Sequence, residues 1–209
     1  IVKYFGMDKK DLSGIYSVAT VFGFIAMGIG GAIGETKRIT KQILVIGVSL
    51  FVVCYGLFAL SLGHKPLFYA GVIIFFIGFN LHEPILQSMA SKFSKVSQKG
   101  AVLGIFNAFG YMGSFIGGIG GGALLKFYGL SALSAVVTVL CVAWLVALKW
   151  LDNPNIFKNI YLPSSANADM ATLEMQKGVV ECYKTAQNLV VKYNSKLTDE
   201  ATIKRIIGI

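Results

Sequence analysis

The stretch Phe75-Phe-Ile-Gly-Phe-Asn-Leu-His-Glu-Pro-Ile-Leu-Gln-Ser-Met-Ala-Ser-Lys92 places polar residues inside an apolar run that begins at Leu67. The run is long enough to cross a lipid bilayer. Its polar residues are Asn80, His82, Glu83 and Gln87. Glu83 is the only acidic residue inside any long apolar segment of the chain. A carboxylate at that depth costs at least ~2.5 kcal/mol, so it normally faces a cavity or a partner and has a function.

Helical spacing relates these polar residues to one another. Asn80, Glu83 and Gln87 are three or four positions apart and share one face of a helix. His82 lies about 100° around the helix from Glu83, and Pro84 is expected to bend the helix beside the acid. The pattern indicates a protonatable site in a transport pathway, where two amides orient substrate or water. His82 is either a second titrating group or a residue bonded to a neighbouring helix.

A structural role for Glu83 remains the alternative. In that interpretation the carboxylate extends toward the cytoplasmic surface of the membrane, or it pairs with a residue on another element without taking part in transport.

Composition places the chain among membrane proteins. It has 209 residues, of which 55% are hydrophobic and 14% charged, with a mean hydropathy of +0.68. A soluble domain carries about 25% charged residues. The net charge of +9 is compatible with nucleic acid or anionic lipid. Because the charge lies mostly in short loops between apolar runs, it indicates membrane topology, and no nucleic-acid partner is expected.

Five segments are long enough to span a bilayer. They are Gly14–Gly34, Gln42–Gly63, Leu67–Ala90, Gly100–Leu125 and Leu130–Leu151. The loops at 35–41 and 91–99 carry three basic residues each, whereas the connections around Lys65 and Lys126 carry one each. The positive-inside bias therefore predicts that the first two loops, and with them the C-terminal tail, are cytoplasmic.

Small residues recur every four positions in two of these spans. They are Gly113, Gly117 and Gly121 in the fourth span, and Ala26, Gly30 and Gly34 in the first. Such strips allow two helix backbones to approach closely. They serve either static packing or the movement of helices against one another during alternating access.

The composition changes after Trp150. We predict a linker and first strand within residues 153–166, and a small α+β domain over residues 157–209. The predicted elements are a strand at Lys158–Pro163, a helix at Asp169–Gly178, strands at Val179–Thr185 and Asn188–Asn194, and a helix from Thr198-Asp-Glu200 to Ile207. The order βαββα is nearly a split βαβ, or ferredoxin-like, unit. With about 50 residues it is expected to lean on the membrane domain.

Three stretches carry a resemblance to the major facilitator superfamily. Gly78-Phe-Asn-Leu-His-Glu83 with Ser88-Met-Ala-Ser-Lys92 is similar to the tenth helix of its YajR-type branch, and Lys99-Gly-Ala-Val-Leu-Gly104 is similar to the eleventh. The tail, with Asn194-Ser-Lys-Leu-Thr198, resembles the small cytoplasmic domain of ferredoxin-like fold in that branch of drug/proton antiporters.

The resemblance implies an all-α polytopic membrane protein with a ferredoxin-like tail. The five spans would be the last five of twelve helices, Ile1–Met7 the end of the seventh, and an N-terminal helix bundle absent from this chain. It further implies a secondary transporter of the bacterial inner membrane, coupling efflux of a small-molecule substrate to protons.

The segment Gly31-Ala-Ile-Gly-Glu-Thr-Lys-Arg38 resembles a degenerate copy of the superfamily's loop signature, G-x3-[DE] followed by basic residues. The later glycine of the signature is absent and the spacing is shortened. The resemblance implies that Gly31, Glu35, Lys37 and Arg38 help to set the conformational equilibrium. The alternative is that these are ordinary charges that fix membrane topology.

Other functional classes find little support in the sequence. The cysteines Cys54, Cys141 and Cys182 form no CxxC pair, so neither a disulfide framework nor a cysteine metal site is predicted. The tail also resembles heavy-metal-associated domains, but its first loop, Pro163–Asn167, has no thiol, and we expect no metal or cofactor. No enzyme motif is present. The competing hypothesis is a membrane-anchored regulatory or sensor protein whose tail binds a ligand or partner.

Overall fold

The computed structural model describes residues 6–61, 64–163 and 169–207. The described part begins with four long helices, which are α1 (Lys9–Thr36), α2 (Thr40–Leu60), α3 (Lys65–Phe93) and α4 (Lys99–Ala147). Each is long and apolar enough to cross a membrane. The first three correspond to the first three predicted spans. The predicted helix end at Ile1–Met7 lies mostly outside the described residues.

Helix α4 contains both of the last two predicted spans, but they meet at a kink and not at a loop around Lys126. Helical geometry continues through Lys126 and is broken only at Gly129, where φ is 82° and ψ is −179°. In a straight helix, Gly121 and Leu133 would be about 18 Å apart, yet a Cβ on Gly121 would lie 3.6 Å from Leu133 Cδ1. The chain therefore folds back at Gly129. Two arms, residues 99–128 and 130–147, take the places of the spans Gly100–Leu125 and Leu130–Leu151.

Helices α2 and α3 pack backbone against backbone. A Cβ on Gly47 would lie 3.2 Å from the carbonyl oxygen of Gly78, and a Cβ on Gly78 would lie 3.0 Å from the carbonyl oxygen of Gly47. The apolar core beside this contact consists of Ile43, Leu44, Val48, Ile85, Met89 and Leu148. The two glycines thus determine how closely the helices approach.

Helix α1 packs through small residues. Its buried residues among the described side chains are Ala19, Gly23, Gly30 and Gly34. Gly30 leaves no room for a Cβ beside Leu81 of α3, and a Cβ on Gly34 would lie 3.0 Å from Ile43 of α2. Two members of the strip at Ala26, Gly30 and Gly34 therefore do lie at helix contacts.

The glycines of α4 are placed differently. Within the described ranges, nothing lies within 4 Å of a Cβ built on Gly113 or Gly117, and Gly121 would meet only Leu133 of the returning arm. The first arm of α4 is exposed along most of its length. A helix partner for the strip at Gly113, Gly117 and Gly121 stays a prediction.

After α4, a turn of 3₁₀ helix at Pro154–Ile156 leads into a small α/β unit. Its elements are β1 (Phe157–Pro163), α5 (Met170–Met175), β2 (Val179–Lys184), β3 (Asn188–Asn194) and α6 (Glu200–Ile207). The three strands are antiparallel in the order β1-β3-β2. Their core consists of Ile160, Leu162, Leu173, Leu189, Val191, Tyr193 and Ile203.

The predicted strands and final helix agree with these bounds to within two residues. Asp169 caps α5 as predicted, because its carboxylate accepts a hydrogen bond from the N–H of Ala171 at 3.1 Å. The helix ends at Met175 rather than Gly178, and Gly178 takes a φ of 99° between α5 and β2. Most of the predicted loop Pro163–Asn167 lies outside the described residues.

We expect that Gly47→Leu lowers the free energy of unfolding by at least about 2 kcal/mol, because the new side chain meets the α3 backbone. Gly56→Leu is the matched control, since Gly56 lies on the same helix with nothing within 4 Å of its Cβ position. Thermal unfolding of the two detergent-solubilised variants measures the difference, and equal losses of stability would contradict the packing described here.

Candidate functional site

The polar residues of α3 point in different directions. The ring of His82 faces α2, where it lies edge-on to Phe51 with 5.5 Å between ring centroids. Asn80 faces α1, at the point where Gly23 leaves room for its amide. The Nδ2 of Asn80 donates a hydrogen bond to the carbonyl of Phe76 at 2.9 Å. His82 and Asn80 are thus held at two separate helix contacts.

Glu83 and Gln87 lie within about 60° of Asn80 around α3, on the part of that side which neither α1 nor α2 covers. Both are exposed, as is Phe79 one turn earlier. Within the described part of the chain, no residue forms a hydrogen bond or ion pair with the Glu83 carboxylate. Helix α3 continues past Pro84 to Phe93. Of the three residues predicted to share a face, Asn80 is therefore half-buried at the α1 contact and Glu83 and Gln87 are exposed, whereas His82 faces α2.

A small cavity of about 90 Å³ joins Asn80 to the predicted conformational loop. It lies between α1 and α3 and is lined by Met27, Gly31, Glu35, Asn80, Leu81, Pro84, Ile85 and Ser88. A water molecule occupies about 30 Å³ in the liquid, so a cavity of this size accommodates a few waters. Gly31 and Glu35 thus line the same small, mainly apolar cavity as Asn80, although they are about 50 positions apart in the sequence.

The loop residues themselves contact two different elements. Glu35 forms an ion pair with Lys92 at the end of α3, with Oε1 2.7 Å from Nζ, and accepts a longer hydrogen bond from Ser88. The Glu35 side chain is 62% exposed, so the pair contributes at most about 1 kcal/mol to stability. Its importance is that it ties the C-terminal ends of α1 and α3 to each other. Lys37 is exposed.

Arg38 holds the segment that leads into the tail. Its φ of 56° lies in the left-handed region, and its carbonyl accepts hydrogen bonds from the side-chain amides of Asn155 at 2.6 Å and Asn153 at 3.4 Å. The linker predicted within residues 153–166 is therefore docked on the bundle at its beginning.

A second docking contact connects the tail to the α3–α4 connection. Both carboxylate oxygens of Glu181 accept a hydrogen bond from the N–H of Val96 at 2.8 Å, and Lys192 donates to the carbonyl of Ser94. Glu181 and Lys192 are cross-strand partners, their charged atoms lie 3.9 Å apart, and each side chain is 8% exposed. Burial lowers the pKa of Lys192, Glu181 opposes this shift, and nearby Lys99 adds to it.

The sequence analysis did not identify this docking site. One signal was available, because Lys192 interrupts the apolar run Leu189-Val-Val-Lys-Tyr193. Alternation along β3 turns Leu189, Val191 and Tyr193 toward the core of the tail, and it turns Val190 and Lys192 to the opposite face. That outer face is buried as well, so a charge there needs a partner from outside the sheet.

A larger cavity of about 310 Å³ lies deeper in the bundle and is mainly aromatic. It is lined by Tyr16, Tyr55, Phe58, Phe68, Val72, Phe75, Phe76, Leu125, Leu130 and Leu133. It brings together α1, α2, α3 and both arms of α4 beside Gly129. None of the predicted site residues lines it.

Four apolar helices long enough to span a bilayer, with a small α/β unit docked on one end, define a polytopic integral membrane protein. The sequence profile of the Major Facilitator Superfamily matches residues 1–175. The chain belongs to the major facilitator superfamily.

Similar proteins carry transporter names. The chain is 27% identical over 180 residues to the inner membrane transport protein YajR of Escherichia coli, an alignment covering 83% of this chain and 40% of that protein. It is 35% identical over 134 residues to an uncharacterized transporter of Buchnera aphidicola, covering 63% and 34%. It is 31% identical over 100 residues to the MFS-type transporter YttB of Bacillus subtilis, covering 48% and 25%. The aligned part of the chain thus spans between a quarter and two fifths of these relatives.

Thiol accessibility tests the directions assigned to the α3 residues. In a background where the native cysteines are replaced by serine, we expect Glu83→Cys and Gln87→Cys to react with a water-soluble maleimide at least about ten times faster than His82→Cys. The reason is that His82 is packed against Phe51, whereas the other two are exposed. Faster labelling at position 82 would show that α3 is rotated relative to this description.

The docking of the tail can be tested with a double mutant. Glu181→Leu leaves Lys192 buried without its counter-charge and is expected to cost about 3–5 kcal/mol. Adding Lys192→Met should restore much of that loss, since replacing both members of a buried pair by apolar residues is often neutral. Limited proteolysis and thermal unfolding of the intact protein provide the measurement. A double mutant as unstable as the single one would show that the pair is not the important contact.

Proposed function

We propose that this chain forms the C-terminal half of a twelve-helix secondary transporter that exchanges protons for a small molecule by alternating access. The observation that carries the proposal is the exposed position of Glu83 on the face of α3 that α1 and α2 leave uncovered. Substrate sites of such transporters lie near the membrane midplane, at the interface between repeats. Membership of the superfamily and the transporter names of three relatives support this class over an enzyme.

The chemistry of a carboxylate suits proton coupling. A low-dielectric, closed environment favours the neutral carboxyl, whereas water or a nearby cation favours the carboxylate. When the face with Glu83 is covered, the residue holds its proton; when the face opens or a cationic substrate arrives, the proton leaves. Gln87, one helical turn away and also exposed, is positioned to orient substrate or water beside it. Asn80 and His82 act from the adjacent helix contacts.

The aromatic cavity supports an assignment of substrate class. Six of its ten lining residues are aromatic, and aromatic rings attract organic cations through their quadrupoles. We therefore propose lipophilic cations as the first substrates to test, with efflux as the direction.

In this proposal the loop from Gly31 to Arg38 helps to set the conformational equilibrium. The ion pair between Glu35 and Lys92 supports the role, because it joins the ends of two helices that would move relative to each other. The tail lies on the cytoplasmic side of the bacterial inner membrane and has a ferredoxin-like fold. Its contacts with both Lys/Arg-rich loops support that location, and its βαββα order supports the fold.

The alternative is a membrane-anchored sensor whose tail binds a ligand or partner. The specific observation in its favour is the buried pair Glu181 and Lys192, which connects the tail to the α3–α4 connection. An anchor of this kind has no need for an acidic residue in the middle of a span.

Substrate-induced proton movement distinguishes these functions. The intact protein is reconstituted in vesicles with a pH-sensitive dye and exposed to a panel of lipophilic cations. We expect proton movement with wild type, a fall to the level of empty vesicles with Glu83→Gln, and partial activity with Glu83→Asp. Glu35→Gln removes the same charge at the cytoplasmic end and should retain proton movement at an altered rate.

Equal proton movement in wild type and Glu83→Gln would leave transport intact and make Glu83 structural. If the wild-type protein moves no protons with any compound of the panel, this result would contradict lipophilic-cation antiport and favour the sensor.

A further inference from the structure

A polar cavity lies between the tail and the connection where α3 ends and α4 begins. Its volume is about 220 Å³. The polar residues important to its chemistry are Ser91, Lys92, Lys99, Asn159, Tyr183 and Lys192. The first three belong to the membrane domain and the last three to the tail, so the cavity exists only while the tail is docked.

The charges around this cavity do not balance. Three lysines line it and no carboxylate does. Lys92 is paired with Glu35, and Lys192 lies 3.9 Å from Glu181, but Lys99 has no acidic partner among the residues that the structure describes. One positive charge therefore remains uncompensated at a half-buried position, next to the buried ammonium group of Lys192.

The remaining polar groups are able to donate hydrogen bonds to the same space. Ser91 and Tyr183 have hydroxyls, and the side-chain amide of Asn159 forms no hydrogen bond with any described residue. Ammonium groups, hydroxyls and an amide together match a ligand that carries several acceptor oxygens and a negative charge. A volume of about seven water molecules is large enough for a phosphate group together with several waters.

We propose that this cavity binds a phosphate-class anion, with Lys99 and Lys192 as its cationic ligands. The anion would be held by residues of both domains and would stabilise the docked position of the tail. Its source is either a free phosphate or the headgroup of an anionic lipid in the cytoplasmic leaflet. The proposal goes beyond the transport function and does not depend on it, because Glu83 and proton coupling play no part in binding.

Ligand-dependent thermal stability of the intact protein is the test. In a neutral detergent, sodium phosphate is titrated against sodium chloride at matched ionic strength. We expect phosphate to raise the unfolding temperature of wild type and Lys99→Gln to weaken the apparent affinity at least ~10-fold. Lys95→Gln is the matched control, since Lys95 is an exposed residue of the same connection that does not line the cavity. It should respond as wild type does, and Lys99→Arg should retain most of the effect.

A second set of measurements identifies the source of the anion. The same variants are placed in nanodiscs of phosphatidylcholine with or without phosphatidylglycerol, in phosphate-free buffer. Stabilisation by phosphatidylglycerol that requires Lys99 supports a lipid headgroup, and stabilisation by phosphate in detergent that requires Lys99 supports a free anion.

Two outcomes would overturn the proposal. The first is that neither phosphate nor phosphatidylglycerol stabilises the wild-type protein. The second is that Lys99→Gln and Lys95→Gln change the response equally, which would mean that general surface charge explains the effect. These experiments measure stability and not transport, so neither result bears on the proposed role of Glu83, which the proton-movement experiment tests.

Discussion

The contact between Gly47 and Gly78 determines the rotation of α3, and the arrangement of the polar residues depends on that rotation. With the backbones in contact at this point, His82 follows Gly78 by four residues and must face α2 as well. Glu83 comes about 100° further around the helix and is turned away from α2. A rotation by one residue would press the carboxylate against the apolar surface beside Gly47, where no described side chain could compensate its charge.

Helix α1 is held to the bundle in a different way. Its glycines Gly23 and Gly30 receive side chains of α3. Leu12, Ile15 and Tyr16 add apolar and aromatic contacts nearer its N-terminus. The ion pair of Glu35 and Lys92 adds a polar contact at the C-terminal end of α1, beyond the glycine contacts.

The sequence predicted the elements well and their mutual arrangement poorly, for physical reasons. The helices and the strands of the tail follow from local hydrophobic patterns, and β3 was predicted with its observed bounds, Asn188–Asn194. The reversal at Gly129 was expected to need a loop, but a glycine with positive φ turns the chain in a single residue. Asn80 is half-buried and Glu83 is exposed because Gly23 of α1 makes room for Asn80. Gly23 is far away in the sequence, so the pattern of α3 alone could not predict this difference.

The docking of the tail uses the backbone of the membrane loops more than their side chains. The side-chain amides of Asn153 and Asn155 donate to the carbonyl of Arg38. Lys192 donates to the carbonyl of Ser94, and Glu181 accepts from the N–H of Val96. These backbone groups are available only in the present loop conformations, since a change of φ or ψ redirects them. The tail therefore recognises the shape of the two connections at the ends of α1 and α3. Because the loop lysines are not used for this contact, Lys99 remains available for a ligand.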